Sequence, residues 1–340
     1  MARLTRRKLL GSGAAFGLGA AALHGTIPHS HGTATAATAA GDAAHAGHGA
    51  GNGHGGFRGG EVDHKANGFD PHVLVRDFDS GKTSKLPDGR TLREWTLIAS
   101  EHDIEVAPGV TYTAWSYNGR VPGPTLRATE GDRLRIRFLN GSRHPHSIHF
   151  HGIHPAAMDG VDPIAPGAEF VYEFDAAPFG LHLYHCHVRP LAEHISKGLY
   201  GTLIIDPKAP RAKADELVMV MNGFDTNFDG ANELYAANSI GFAYSERPIQ
   251  VKRDALVRVY LVNILEFDLI NSFHLHGNLF NYIPTGTSKQ PSEFTDTVML
   301  CQGQRGILEM RFPNAGKYMF HAHQSEFTEL GWLGFFEVSS

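Results

Sequence analysis

The stretch Leu183-Tyr-His-Cys-His-Val-Arg-Pro-Leu-Ala-Glu-His-Ile-Ser-Lys-Gly-Leu199 combines one cysteine with three histidines. Cys186 lies between His185 and His187, and His194 follows eight residues after the cysteine. In a β-strand, neighbouring side chains point to opposite faces and residues two apart share a face. Cys186 should therefore face away from its two neighbours, so that one strand end can contribute to two metal sites. A thiolate with two imidazoles is the ligand set of blue-copper sites.

The composition is that of an ordinary globular protein, except for its histidine content. The 340 residues are 42% hydrophobic and 19% charged, with a formal net charge of −5, and 22 are histidines. This length allows two domains with hydrophobic cores. The charge balance gives no indication of nucleic-acid binding, and no apolar run is long enough to cross a membrane. The two cysteines indicate no disulfide framework, and the remaining Cys301 is predicted to be a small buried residue.

Residues 1–36 are predicted to be a signal peptide. The basic start, with Arg6 and Arg7 paired, precedes a weakly apolar run to about Leu23 and small residues around Ala34. This order is typical of export signals, and the paired arginines indicate the twin-arginine pathway. We therefore expect a periplasmic or extracellular protein.

Residues 37–70 are predicted to be a disordered linker. Gly, Ala, Thr and His dominate the chain from about His29 to Gly60, and such a segment buries too little apolar surface to offset the entropy of ordering. His45, His48 and His54 could bind metal weakly, but the simpler interpretation is that they are solvated linker residues.

The chain from about Pro71 onward is predicted to be all-β. Short β-rich runs alternate with Gly, Pro, Asn and Asp clusters, and no long stretch shows sustained helical periodicity, which predicts sandwiches or barrels. A segment at 206–213 is predicted to link two domains, 71–210 and 211–340. The predicted strands are 92–99, 111–117, 133–139, 170–174, 199–205, 217–221, 249–251, 255–263, 297–300, 307–312 and 333–338.

The two halves of this region repeat one another. His149-Phe-His151-Gly recurs as His274-Leu-His276-Gly, and His185-Cys-His187 recurs as His321-Ala-His323. Gly198-Leu-Tyr-Gly201 is echoed by Gly331-Trp-Leu-Gly334. A duplicated β domain explains both the length of the chain and the double appearance of each histidine pair.

Each His-x-His motif places two imidazoles on one face of a strand. A single pair would be weak evidence for a metal site, because a buried histidine is usually a satisfied core residue. Four pairs at matching places in two repeats indicate metal binding instead. Eight imidazoles without an obligatory carboxylate suit several copper ions, whereas structural zinc needs only four ligands.

The repeats differ at the cysteine. In the first half, His146 stands three residues before His149 and completes a His-Cys-His set with Cys186 and His194. In the second half, the matching positions hold Asn271 and Ala322. The sequence therefore predicts a mononuclear site in the first domain alone.

With these motifs the chain resembles the multicopper oxidases, most closely two-domain laccase-like enzymes whose type 1 copper lies in the first cupredoxin domain. The resemblance covers roughly 71–340 and includes Asn118-Gly-Arg-Val-Pro-Gly-Pro124. It implies two tandem cupredoxin-like Greek-key β-sandwich domains and four coppers per subunit, one of type 1, one of type 2 and two of type 3. The implied ligands are His146, Cys186 and His194 for type 1, His149 and His274 for type 2, and His151, His185, His187, His276, His321 and His323 for the type 3 pair.

Two features depart from three-domain laccases. The step from Cys186 to His194 is longer and looks like that of the copper nitrite reductases. Leu199 stands where a weak axial methionine often lies, which implies a high type 1 potential. Nitrite reductases lack the full fourfold His-x-His set, so the set favours dioxygen as the electron acceptor.

The function implied is one-electron oxidation of phenolic or similar small donors, through the imidazole edge of His194, coupled to four-electron reduction of dioxygen to water. Asp159 and Glu326 are candidate proton-relay carboxylates, with surface or loop-capping roles as the alternative for each. A nitrite reductase-like enzyme, a periplasmic or extracellular copper-binding protein and a plain electron carrier are the competing interpretations.

The resemblance also implies an assembly. Four cluster histidines come from each domain, so a first domain must face a second domain. Two-domain relatives meet this need by closing three chains into a ring, which predicts a homotrimer with intersubunit trinuclear sites.

Overall fold

The computed structural model describes residues 59–340. The predicted signal peptide and most of the predicted linker, including His45, His48 and His54, lie outside the described residues. No helix in the described range is both long and apolar enough to span a membrane.

The first domain is a β-sandwich with few and short helices. One sheet has the strand order β1-β5-β10-β9-β7, and the other has the order β2-β3-β6-β8 with β4 paired to β3. Its helices are α1 (His64–Asn67), α2 (Pro71–Leu74) and α3 (Leu191–Ser196), with a 3-10 turn at Ala156–Met158. Its strands are β1 (Phe78–Asp79), β2 (Lys82–Lys85), β3 (Thr91–Ala107), β4 (Val110–Tyr117), β5 (Thr125–Thr129), β6 (Arg133–Asn140), β7 (His149–Phe150), β8 (Glu169–Asp175), β9 (Gly180–His185) and β10 (Tyr200–Asp206).

The second domain repeats this architecture. Its sheets have the orders β12-β11-β14-β19-β16-β17 and β13-β21-β20-β15-β18. Its helices are α4 (Ala243–Glu246) and α5 (Ser325–Glu329). Its strands are β11 (Asp215–Phe224), β12 (Leu234–Ala237), β13 (Ile249–Lys252), β14 (Val257–Asn263), β15 (Ile270–Leu275), β16 (Phe280–Pro284), β17 (Glu293–Thr295), β18 (Thr297–Cys301), β19 (Arg305–Met310), β20 (Gly316–His321) and β21 (Leu333–Ser339).

Strand β6 illustrates why these residues form sandwich strands. Its apolar residues Leu134, Ile136 and Phe138 alternate with arginines, so one face is buried and the other is solvated. Arg133 and Arg135 both pair with one carboxylate, Glu173, on the neighbouring strand β8. Such cross-strand pairs and the alternating pattern fix the register.

The predicted all-β fold with two sandwich domains is confirmed, and every predicted strand overlaps an observed one. Strands adjacent in sequence often lie in different sheets, as Greek-key connections require. Two strands that carry histidine motifs were not among the predicted runs: β7 has only two residues, and polar residues interrupt the apolar pattern of β15.

A shared hydrophobic core joins the two domains. It combines Leu181 and Leu183 of β9 with residues of the second domain such as Val218, Val220 and Ile307. Strand β11 is buried along most of its length because it faces both this shared core and the core of the second sandwich. The domains therefore form one continuous apolar structure rather than two bodies on a flexible tether.

Two predictions, one about disorder and one about burial, were wrong. Residues 61–70 are not disordered: Val62 and Phe69 are buried, and the side-chain amide of Asn67 forms hydrogen bonds with both backbone groups of Glu105. Cys301 is exposed rather than buried, because burial alternates along β18 and the neighbouring Leu300 faces the core.

Candidate metal centres

One cysteine and two histidines converge in the interior of the first domain. Cys186 directly follows β9, His194 lies in α3, and His146 is fixed by a β-bridge to Ile164. The Cys186 Sγ atom lies 3.2 Å from Nδ1 of His194 and 3.8 Å from Nδ1 of His146. The two Nδ1 atoms are 3.1 Å apart. Three donor atoms at these separations can surround one metal ion.

The protonation chemistry of this site suits a soft metal cation. Burial lowers the pKa of His146 to about 3 and that of His194 to about 4, so both imidazoles are neutral and keep a lone pair at neutral pH. Burial raises the pKa of the Cys186 thiol, and a bound cation would deprotonate it. The peptide N–H of Ser147 also donates to the sulfur, at 3.4 Å. This His-Cys-His set is that of a type 1 copper site.

Leu199 lies beside the cysteine and offers no ligand atom. The peptide N–H of Cys186 donates to the carbonyl of Leu199 at 2.9 Å, and both side chains belong to the same buried apolar cluster. The matching bond in the second domain runs from Ala322 to Trp332. There the buried indole of Trp332 donates to the carbonyl of Ser272, so an aromatic ring stands where the first domain has Leu199.

Four histidines form a cluster at one end of the first sandwich. Strands β7 and β9 place His149 opposite His185, and the ring centroids of His151, His185 and His187 lie 5.2–5.3 Å from that of His149. The Nε2 atoms of His151 and His185 are 3.2 Å apart.

The second domain repeats this arrangement. Strands β15 and β20 place His274 opposite His321, and the rings of His276, His321 and His323 lie 5.0–5.3 Å from that of His274. The Nε2 atoms of His276 and His321 are 2.9 Å apart. Among the described residues, each close group of histidines comes from a single domain.

Backbone carbonyls lie beside Nδ1 of several cluster histidines. Nδ1 of His149 donates to the carbonyl of Asp159 at 2.8 Å, and Nδ1 of His185 donates to that of Cys186 at 2.9 Å. Nδ1 of His274 lies 3.1 Å from the carbonyl of Asp296. A ring that donates from Nδ1 keeps the lone pair of Nε2 free for a metal ion. His149, His185 and His274 can therefore each present Nε2 to a metal ion.

Comparison with known proteins agrees with these centres. Family models described as multicopper oxidase match residues 99–210 and 211–340. A multicopper oxidase of known crystal structure is 59% identical to the chain, with a TM-score of 0.81, and the match covers 82% of this chain and 100% of that one. The chain belongs to the multicopper oxidase family.

This multicopper oxidase is also similar to nitrite reductases. A copper nitrite reductase from Nitrosomonas europaea is 26% identical, with a TM-score of 0.68, over 73% of this chain and 94% of that one. The copper-containing nitrite reductase of Neisseria meningitidis serogroup A is 27% identical over 244 residues, 66% of this chain. The chain spans 63% of the length of that relative.

The two carboxylates predicted from the sequence occupy different surroundings. An Oδ atom of Asp159 lies 3.2 Å from Nδ1 of His149 and 3.9 Å from Nε2 of His154. Glu326 is exposed at the start of α5, and no hydrogen bond in the described residues joins it to a cluster histidine. The structure therefore places the Asp159 carboxylate, but not that of Glu326, against a histidine of the first-domain cluster.

The multicopper oxidase site includes residues that the sequence analysis missed. The hydroxyls of Ser147 and Ser272 accept from the peptide N–H groups of His187 and His323, at 3.3 Å and 2.7 Å. The repeat could have revealed this pair, because each serine stands two residues before the His-x-His motif of its domain. No sequence motif pointed to Asp296, because this residue, whose carbonyl contacts His274, lies 22 residues further along the chain.

The imidazole edge of His194, which is expected to pass electrons from the donor, is nearly closed to solvent. His194 is only 3% exposed, and the ring of Trp115 lies against it with centroids 4.9 Å apart. Trp115 packs on His146 as well, at 5.1 Å. Nothing in the spacing of the sequence indicated this tryptophan, because it comes from β4, far from the ligand motifs.

Proposed function

We propose that this multicopper oxidase couples one-electron oxidation of phenolic or similar donors to four-electron reduction of dioxygen to water. The observation that carries the proposal is the pair of four-histidine clusters beside a His-Cys-His site. Eight imidazoles suit a trinuclear copper cluster, whereas a mononuclear acceptor site needs fewer. The proposed content is four coppers per chain, one each of types 1 and 2 and two of type 3.

The residues of the chain have distinct roles in this reaction. His146, Cys186 and His194 would hold the type 1 copper, and bound copper supplies reversible one-electron chemistry and a place to reduce dioxygen. Peptide bonds join Cys186 to His185 and His187, so a short covalent path links the thiolate to the cluster.

Proton delivery is assigned to a carboxylate at the cluster. Asp159 holds a proton acceptor 3.2 Å from His149, within the reach that proton transfer needs. It also borders a surface cavity of about 220 Å³ formed with neighbouring residues such as Val161 and Tyr172. Water in this cavity would connect the carboxylate to solvent.

The proposed oxidase is a homotrimer. Each close histidine group comes from one domain, so a full cluster requires a first domain to face a second one. Head-to-tail contacts between chains must close into a ring or grow into a filament. In a closed ring of three, copper shared between chains would add its binding free energy to the contact. Export through the twin-arginine pathway, which carries folded proteins, would place this trimer in the periplasm or outside the cell.

Nitrite reduction is the second candidate function. It is favoured by the similarity to the nitrite reductases and by the eight-residue step between Cys186 and His194. A copper-binding role without turnover is the third.

Copper content and paired turnover assays distinguish these functions. The copper-loaded protein should contain four coppers per chain and consume oxygen with 2,6-dimethoxyphenol as donor. Nitric oxide production from nitrite without oxygen uptake would favour the second candidate. One or two coppers per chain with neither activity would leave only copper binding.

A further inference from the structure

Aromatic side chains cover the ligands of the His-Cys-His site. His146 and His194 are both buried, and the ring of Trp115 contacts both edge-on, at 5.1 Å and 4.9 Å. Trp115 is itself 6% exposed. Trp115 therefore lies against both ligand imidazoles, and all three rings are almost closed to solvent.

The exposed residue on this tryptophan is His144. Its imidazole stacks on the indole of Trp115, with centroids 4.8 Å apart and planes inclined by 30°. Hydrogen bonds fix the backbone of His144, because its carbonyl accepts from Nδ2 of Asn140 at 2.8 Å and from Oγ of Ser142 at 2.9 Å. In the described residues, no hydrogen bond occupies the ring nitrogens of His144. The exposed ring is thus held in place without a structural partner other than Trp115.

A cation and a second exposed ring lie next to this stack. Nζ of Lys197 is 5.8 Å from the ring centroid of Trp115 and 4.3 Å from that of Phe228. Phe228 comes from the second domain and is 63% exposed. We call Trp115, His144, Lys197 and Phe228 the donor patch. Ring faces bind planar aromatic molecules, and the ammonium group favours electron-rich or anionic rings while repelling metal cations.

We propose that aromatic donors dock against His144 and that Trp115 transfers their electron to the ligand imidazoles. This inference rests on the proposed oxidase function and names where its aromatic donors bind. A phenol bound there would lose one electron and one proton; the proton would pass to water, and the electron would reduce the copper(II) that His146, Cys186 and His194 would hold. Dioxygen is the final oxidant. Because electronic coupling falls steeply with distance, a ring in contact with both imidazoles provides a short path from the stacked His144 to the ligands.

The test uses the copper-loaded protein and two donors. 2,6-Dimethoxyphenol can stack on a ring, whereas ferrocyanide is a compact inorganic donor that cannot. His144→Ala should raise KM for 2,6-dimethoxyphenol by about two- to twelvefold, the range expected for one aromatic pair, and leave the ferrocyanide rate unchanged. His144→Phe should restore the wild-type KM. Phe294→Ala, which removes an exposed ring elsewhere on the second domain, is the control and should leave KM for 2,6-dimethoxyphenol unchanged.

Substitutions of Trp115 test the path itself. Trp115→Leu should slow anaerobic reduction of the type 1 copper by both donors, in stopped-flow absorbance, while its electron paramagnetic resonance spectrum and potential stay the same. Trp115→Phe keeps a ring at this position and should show a smaller loss. It replaces the leucine variant if that variant does not retain copper.

Donor binding is also read without turnover. Ligand-observed nuclear magnetic resonance on the copper-free full chain should show 2,6-dimethoxyphenol binding that His144→Ala weakens. Unchanged binding and KM in His144→Ala, or unchanged reduction rates in the Trp115 variants, would overturn the inference. If the wild-type protein failed to consume oxygen even with ferrocyanide, the oxidase function would be at fault, and the binding measurement would still decide the docking site.

Discussion

The shared cluster can be tested by mixing two inactive chains. His149→Ala/His151→Ala removes ligands from the first-domain cluster, and His321→Ala/His323→Ala removes ligands from the second. Each variant alone should form rings in which every cluster lacks two of its eight histidines. Mixed rings differ, because an intact first domain from one chain can face an intact second domain from the other.

The expected recovery follows from the ring geometry. With equal amounts of the two chains and random assembly, each contact has one chance in two of an intact first domain and one chance in two of an intact second domain. About one quarter of the contacts should therefore be complete, and oxygen uptake with ferrocyanide should recover to about one quarter of the wild-type rate. The chains are mixed before copper loading, and differently tagged copies are used to purify mixed trimers. Each purified mixed trimer has one complete contact in three, so this fraction should reach about one third of the wild-type rate.

A matched mixture separates complementation from other effects. Pairing His149→Ala/His151→Ala with His185→Ala/His187→Ala damages the first domain in both chains, so no contact can be complete and no activity should return. If verified mixed trimers of the first pairing stay inactive, the cluster lies within one chain and the proposed assembly is wrong.

The remaining predictions concern single residues. Cys186→Ser should abolish the blue colour and turnover but leave the cluster coppers bound, as measured by copper analysis; a loss of all copper would contradict the division into two sites. Leu199→Met should lower the type 1 potential, with each 59 mV equal to a tenfold change in equilibrium; an unchanged or higher value would mean that Leu199 is not the axial residue. The side chain of Arg258 is 3% exposed and lies between Glu216 and Glu309. Arg258→Ala should lower the free energy of unfolding by about 3–5 kcal/mol, whereas Arg137→Ala on the surface should lower it by about 0–1 kcal/mol. The stability of the copper-free protein should fall as the pH drops below about 6.5. In the folded state burial lowers the pKa values of His146 and His151 to about 3, so these imidazoles stay neutral there, whereas in the unfolded chain they take up protons. Denaturant titrations at pH 5 and pH 7.5 check the sign.

The sequence predicted the fold and the ligands well for a physical reason. Alternating apolar residues, as in β6, carry a period of two that any buried sheet face must show. Ligand motifs such as His149-Phe-His151 are local, so the geometry of one strand determines their common face. The duplicated pattern then distinguished the complete His-Cys-His set from its degenerate copy, in which Ala322 replaces Cys186.

The parts that the sequence did not predict depend on long-range contacts. Trp115 covers His194 from a strand nearly eighty residues earlier in the chain, and the burial of His194 follows from that contact rather than from its own motif. Cys301 was misjudged because the three residues before it are apolar, and only the pairing of β18 shows which face is solvated. Such features require tertiary structure.

Trp332, the second-domain counterpart of Leu199, limits which substitutions the interior of the second domain can accept. Trp332 is buried against Phe273 and Phe320, next to the positions of Asn271 and Ala322. Placing a histidine or cysteine at those positions would add atoms to a filled interior, and removing Trp332 first would leave a cavity costing about 3–5 kcal/mol. Each order of single substitutions that leads to a second His-Cys-His site therefore passes through a less stable protein. The packed indole thus keeps the His-Cys-His site confined to the first domain.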